Sequence, residues 1–153
     1  MNILLAGYSG HCSERLLEIA VELNAVVFDI RLKPYSKDSR WNAPELALLL
    51  GDRYVGLPQW GNPAKLDCPD ERTFPAMDWA GGLRIFKMRC GDRRTDVAIL
   101  LCGCRSITEC HRAAIGKRLM TEERYDVRDM NHWTEPEKTR ALPLARELAE
   151  VGS

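Results

Sequence analysis

The feature that most constrains the fold of this chain is the segment DVAILLC at positions 96–102, which contains five consecutive apolar residues. A strand of this kind is buried on both faces, as in a parallel sheet covered by helices on each side. Four other short apolar segments alternate with segments of helical periodicity: NILLA (2–6), AVVFDI (25–30), RYVGL (53–57) and YDVRDM (125–130). This alternation predicts an α/β fold with a mostly parallel five-stranded sheet, in the order βαβαβαβαβα.

Capping residues and glycines predict where the helices begin and end. Residues whose side chains commonly cap a helix stand at Ser13, Asn42, Thr108 and Thr134, the last with Glu137 in a capping box. Gly51 is expected to end the second helix. Gly81 and Gly82 lie in the third predicted helix (76–88), where each glycine would cost about 1 kcal/mol of helix stability or the pair would divide the helix.

Length and charge limit the functions that the chain can have. Its 153 residues, 45% of them hydrophobic, suffice for a single α/β domain over residues 1–153. Basic and acidic residues both number 22, and this balance argues against purely electrostatic binding of nucleic acid. The charge is uneven, however, because residues 84–128 contain 11 basic and 6 acidic side chains, a net of +5.

The sequence contains no export signal and no apolar run long enough to span a membrane. We therefore expect a soluble cytoplasmic protein with no membrane partner, whose six cysteines are reduced. The sequence indicates neither a cofactor nor an oligomeric state.

Polar residues follow the predicted strands. In an open parallel sheet, ligands bind beyond the carboxyl ends of the strands, so these residues are expected to meet at one candidate site. The side chains gathered there are Tyr8, Ser9, Arg31, Cys110, His111, Arg112 and His132.

Several of these segments resemble the domain of unknown function 488 family. They are GYS (7–9), DIR (29–31), YVGLPQWGN (54–62) and LLCGCRSITECHR (100–112), and the resemblance covers most of residues 3–130. It implies a Rossmann-like three-layer fold with a site around the C-H-R motif, and it implies no particular reaction. The motif positions are Gly7, Tyr8, Ser9, Asp29, Arg31, Cys102, Cys110, His111 and Arg112. Cys104 stands where members of the family often have an acidic residue.

Arg31 and Arg112 are predicted to bind an anionic group, because a guanidinium presents several donors to phosphate or carboxylate. The alternative is a structural salt bridge, for instance between Arg31 and an acidic neighbour. The loop from Gly7 to Gly10, which contains Ser9, is expected to contribute backbone donors to the same anion.

The candidate catalytic residues are Tyr8, Cys110, His111 and His132. Cys110 is expected in the first turn of a helix, where the helix dipole favours a thiolate, and both histidines can exchange protons near neutral pH. The alternatives are an inert buried cysteine and histidines with structural hydrogen bonds only. Cys102, Cys104 and Cys110 do not have the usual zinc-ligand spacing, so no metal site is predicted, and a Cys104–Cys110 disulfide is a redox hypothesis.

Three tryptophans, Trp41, Trp60 and Trp133, fall in predicted loops. Two interpretations apply to them, since a loop tryptophan can stack on a nucleic-acid base or anchor the loop to the core.

These patterns favour an enzyme that acts on a nucleotide-like or nucleic-acid-derived anionic substrate, by base removal or phosphoester chemistry. A second hypothesis is a non-catalytic nucleotide-sensing or interaction module that uses the same pocket. A third is thiol redox or sulfur transfer, which needs a reactive Cys104 or Cys110.

Overall fold

The computed structural model describes residues 1–9, 11–62, 78–103 and 111–130. Its helices and strands follow the predicted alternation: β1 Asn2–Gly7, α1 Ser13–Glu22, β2 Val26–Asp29, α2 Ala43–Leu50, β3 Tyr54–Gly56, α3 Trp79–Asp92, β4 Val97–Cys102, α4 His111–Glu122 and β5 Asp126–Asp129. Thr108, Thr134 and the helix predicted after Thr134 lie outside the described residues.

The strands form one sheet of five strands in the order β3-β2-β4-β1-β5, and every neighbouring pair is parallel. The predicted α/β fold with a parallel five-stranded sheet is therefore confirmed. β4 occupies the centre of the sheet, so both of its faces are covered, and Ile99, Leu100 and Leu101 are completely buried. The central position explains why this segment is apolar without alternation.

Helices cover both faces of the sheet and produce three layers. On one face, Leu16 and Ile19 of α1 and Leu46 of α2 pack against Leu4 and Val27. On the other face, Phe86 and Cys90 of α3 and Ile115 and Leu119 of α4 pack against residues that include Ile3, Phe28 and Leu100. This is the Rossmann-like three-layer arrangement expected from the sequence.

The helix ends differ in detail from the capping predictions. Cys12, not Ser13, holds the N-cap position of α1, and Ser13 is the first helical residue. Asn42 does hold the N-cap position of α2, but its side chain accepts a hydrogen bond from the Ser36 backbone instead of capping the helix. Gly51 ends α2 as predicted, with a φ of 60° that suits glycine.

α3 continues without a break through Gly81 and Gly82. A Cβ atom on Gly82 would collide with the indole ring of Trp60, so the glycine allows α3 to approach this buried side chain closely. Close packing, rather than a division of the helix, accounts for the glycine.

Candidate functional site

The carboxyl ends of β1 and β4 lie at the point where the chain diverges to helices on opposite faces of the sheet. The two strands are neighbours, with Gly7 paired to Cys102 at their ends. The helix after β1 packs on one face of the sheet and the described helix after β4 packs on the other. Ligands of open α/β sheets bind where the connections diverge in this way, so Tyr8 and Gly103 flank the position expected for a ligand.

A buried ion pair follows the end of the neighbouring strand β2. The guanidinium of Arg31 donates two hydrogen bonds to the carboxylate of Asp29, from Nε to Oδ1 at 2.7 Å and from Nη2 to Oδ2 at 2.6 Å. The side chain of Asp29 is fully buried and that of Arg31 is 8% exposed. Burial by itself lowers the pKa of Arg31, but the hydrogen bonds and charge of Asp29, together with Tyr8, outweigh it and raise the pKa.

Two more elements hold this ion pair in place. The hydroxyl of Tyr54, at the start of β3, donates to Asp29 Oδ2 at 2.7 Å, and Arg31 Nη2 donates to the carbonyl oxygen of Trp41 at 2.7 Å. Burial, with the charge and hydrogen bond of Asp29, raises the pKa of Tyr54 well above its ordinary value. Tyr54 therefore stays a donor to Asp29, and Asp29 and the Trp41 carbonyl together fix the orientation of the Arg31 guanidinium.

Tyr8 lies directly against the remaining edge of that guanidinium. Arg31 Nη1 donates to the Tyr8 hydroxyl oxygen at 3.4 Å, and the phenol ring stacks on Trp41 with 4.6 Å between ring centroids. The backbone of Gly103 lies so close that an added Cβ atom would be 3.0 Å from the Tyr8 hydroxyl. A glycine after β4 therefore leaves room beside this hydroxyl.

Two donors remain at this point of the edge. An arginine side chain has five N–H groups, and Arg31 directs four of them to Asp29, Trp41 and Tyr8. Among the described residues, neither the second Nη1 hydrogen of Arg31 nor the hydroxyl hydrogen of Tyr8 has an acceptor. These adjacent donors form an arrangement that can bind an oxygen atom of a ligand.

Arg112 is held on the opposite face of the sheet. Its side chain is 1% exposed, Nη1 donates to the Sγ atom of Cys102 at 3.1 Å, and Nη2 lies 3.7 Å from Oδ1 of Asp129 on β5. Cys102 packs with α3 and α4, whereas Asp29 lies two residues after Val27 on β2 and therefore shares its face, which packs with α1 and α2. The sheet therefore separates the two predicted arginines, and each one is paired with an aspartate at a strand end.

His111 connects α4 to the end of β2. Its Nε2 atom lies 2.9 Å from the carbonyl oxygen of Ile30, and the residue is 9% exposed. Because a carbonyl oxygen only accepts, Nε2 carries the proton in this contact. A structural hydrogen bond is thus present, and the acid–base role of His111 stays a prediction.

The other predicted site residues divide into two groups. Gly7 ends β1, and Ser9 lies half-buried in the following turn, where the backbone of His11 donates to the carbonyl of Tyr8 at 2.8 Å. The remaining predictions fall outside the described residues: Gly10, Cys104, Cys110, His132 and Trp133.

Trp41 and Trp60 serve as anchors of their loops. Trp41 is 2% exposed and stacked on Tyr8, and Trp60 is completely buried and stacked on Trp79. Sequence reasoning did not identify Tyr54 or Asp129 as parts of the site. Both residues lie in strand segments without a distinctive motif, and only the face of the sheet from which each side chain extends indicates its role.

The opposite edge of the sheet has a concavity of about 200 Å³, which is lined by Asp52, Arg89, Asp92 and Arg93. It contains equal numbers of carboxylates and guanidinium groups, so it offers an anion no excess positive charge. In the part of the chain that the structure describes, no cluster of three metal-ligating side chains occurs, and no helix is long and apolar enough to cross a membrane.

Comparisons with protein-family models, with curated proteins and with solved structures found no match to this chain.

Proposed function

We propose that this protein is an enzyme that acts on a nucleotide-like or nucleic-acid-derived anionic substrate at the carboxyl edge of its sheet. The observation that carries the proposal is the pair of adjacent donors on Tyr8 and Arg31, for which the described residues supply no acceptor. A ligand oxygen placed against these donors would gain two hydrogen bonds, one of them from a charged group.

The position of these donors supports the same proposal. They lie beside the carboxyl ends of β1 and β4, at the point of divergence where ligands of open α/β sheets bind. They also belong to the GYS and DIR segments, which resemble the domain of unknown function 488 family. Arg112 and His111, of the C-H-R motif, flank the same strand ends from the other face.

The Tyr8 hydroxyl has a chemical role in this proposal. It accepts a hydrogen bond from a cationic donor and keeps its own hydrogen for a ligand, so it can stabilise an oxygen atom on which negative charge develops. Phosphoester chemistry includes such an atom on phosphorus or in the leaving group, and base removal includes one where the leaving base has a carbonyl oxygen. The proposal therefore assigns Tyr8 the donor role and Arg31 the anion-binding role in either reaction.

The experiment is a thermal-shift screen of the wild type and Tyr8→Phe against nucleotides, nucleosides, short DNA and RNA, and sugar phosphates. A ligand at about 100 times its Kd stabilises the protein by about 2.7 kcal/mol, which such a screen detects readily. Tyr125→Phe is the control, because it removes a hydroxyl from a ring that packs on Phe86, away from this site.

The proposal expects a compound that stabilises the wild type and Tyr125→Phe but not Tyr8→Phe, and that is converted to a product on incubation. Binding without product would favour the non-catalytic sensing module. No stabilisation by any compound, or equal stabilisation of Tyr8→Phe, would contradict the proposal. Thiol chemistry stays the third hypothesis, and slow alkylation of Cys104 and Cys110 in the folded protein at neutral pH would remove it.

A further inference from the structure

Charge pairing at the candidate site narrows the class of ligand. Arg31 is the cation next to Tyr8, and the two-bond contact with Asp29 already neutralises it. Among the described residues, Asp29 and Tyr8 are the groups whose charge and hydrogen bonds raise the pKa of Arg31. Within the described residues, therefore, Arg31 and its carboxylate form a unit without net charge.

The second arginine of the predicted site does not change this balance. Arg112 has Asp129 as its own ion-pair partner, at 3.7 Å, on the opposite face of the sheet. In the described part of the chain, each arginine at the strand ends is thus matched by one aspartate. The described residues therefore offer a ligand hydrogen-bond donors here, but no excess positive charge.

Such a site distinguishes singly from doubly charged groups. A single oxygen with at most one negative charge gains two hydrogen bonds, one of them charge-assisted. A second negative charge gains no cation in exchange for the water that it loses, and it also faces the Asp29 carboxylate behind the guanidinium. At neutral pH a phosphodiester carries one charge, whereas a phosphomonoester has a second pKa of about 6 and carries nearly two.

We infer that the Tyr8–Arg31 site binds a phosphodiester, the linkage of a nucleic-acid strand or dinucleotide, in preference to the terminal phosphate of a mononucleotide. The inference rests on the proposed function and specifies its substrate class. The juxtaposition that carries it is a pair of donors on Tyr8 and Arg31 that have no acceptor among the described residues, next to the buried Asp29, which cancels the positive charge of Arg31.

The test measures the Kd values of two probes, the dinucleoside phosphate of thymidine and thymidine 5′-monophosphate, at pH values from about 5 to 8. The diester is expected to bind at least ten-fold more tightly at pH 8, with little change across the range. The monoester is expected to bind more tightly as the pH falls through about 6, where it loses its second charge, so that the two affinities converge.

A variant tests the role of the carboxylate directly. Asp29→Asn removes the neutralising charge, so it is expected to reduce the preference for the diester at pH 8 several-fold. Asp38→Asn is the matched control, because Asp38 accepts the same pair of hydrogen bonds from Arg40 on the exposed surface. The preference for the diester should not change in this variant. If Asp29→Asn does not fold, the pH series on the wild type still decides the question.

Each outcome separates the inference from the proposed function. Tighter binding of the monoester at pH 8 would overturn the inference and leave the proposed function standing. Diester preference without any product would support the inference and contradict the enzymatic part of the proposed function. Binding of neither probe would overturn the inference, whereas the proposed function would then depend on the other compounds of the screen.

Discussion

Replacing Asp29 by alanine is expected to destabilise the protein strongly, because it leaves the Arg31 guanidinium buried without its anion. Four hydrogen bonds converge on this carboxylate: from the Arg31 backbone at 3.2 Å, Arg31 Nε at 2.7 Å, Nη2 at 2.6 Å and the Tyr54 hydroxyl at 2.7 Å. Removing one partner of a buried ion pair typically costs 3–5 kcal/mol, so we expect the free energy of unfolding to fall by about 4 kcal/mol.

Urea denaturation followed by tryptophan fluorescence measures this loss. The control is Asp38→Ala, since Asp38 and Arg40 have the same sequence separation and the same two-bond geometry, at 3.0 and 2.7 Å, but are 39% and 59% exposed. Water replaces the lost partner of Arg40, so the control should lose far less stability. Equal losses in the two variants would refute the reasoning.

The double variant Asp29→Ala with Arg31→Met supplies an internal check. It removes the Arg31 guanidinium together with the Asp29 carboxylate, so no unpaired charge stays buried. The double variant should therefore recover part of the stability that Asp29→Ala loses. A double variant less stable than Asp29→Ala would mean that Arg31 contributes through packing or through its other hydrogen bonds.

Three further predictions address other parts of the account. Tyr54→Phe should lower the free energy of unfolding by about 1.5 kcal/mol in urea denaturation, since a buried carboxylate loses one donor; no loss would mean that the bond adds nothing to stability. Gly82→Ala should lower the melting temperature, despite the better helix propensity of alanine, because the added methyl group collides with the Trp60 ring. Gly91→Ala should raise the melting temperature, because the added methyl group has no atom within 4 Å. The opposite order of melting temperatures would contradict the packing of α3. Burial raises the pKa of the Cys90 thiol from 9.0 to about 12, so the unfolded chain loses this proton first. The free energy of unfolding should therefore fall as the pH rises above about 9, and it should fall less steeply in Cys90→Val. The same dependence of the free energy of unfolding on pH in both proteins would contradict the shift.

The fold could be predicted from the sequence because its strongest signals are local. The apolar run of β4, the alternation of strands and helices, and Gly51 each reflect physics within a few residues. Helix capping was predicted less well, since Asn42 bonds to Ser36 across a loop, a contact that depends on tertiary structure. Of the two outcomes predicted for the glycines of α3, the division of the helix is wrong, and the sequence could not show this because the close approach of Trp60 is a long-range contact.

The candidate site could be predicted only as a set of residues at one edge. Tyr8 and Arg31 meet across the end of β4, which lies between β1 and β2, and the sequence does not determine that strand order. The separation of Arg31 from Arg112 depends on which face each side chain leaves, which follows only once the strands have been placed. Tyr54 belongs to the site because β3 pairs with β2 in one register, with Val27 opposite Tyr54.

The most direct test of the central claim is an NMR titration of the labelled wild-type protein with the dinucleoside phosphate of thymidine. We expect the resonances of Tyr8, Arg31 and Gly103, which lie together at the carboxyl edge, to shift. The resonances of Asp52 and Arg93 at the opposite edge should not change. Shifts confined to the opposite edge, or no shifts at all, would contradict the assignment of the site.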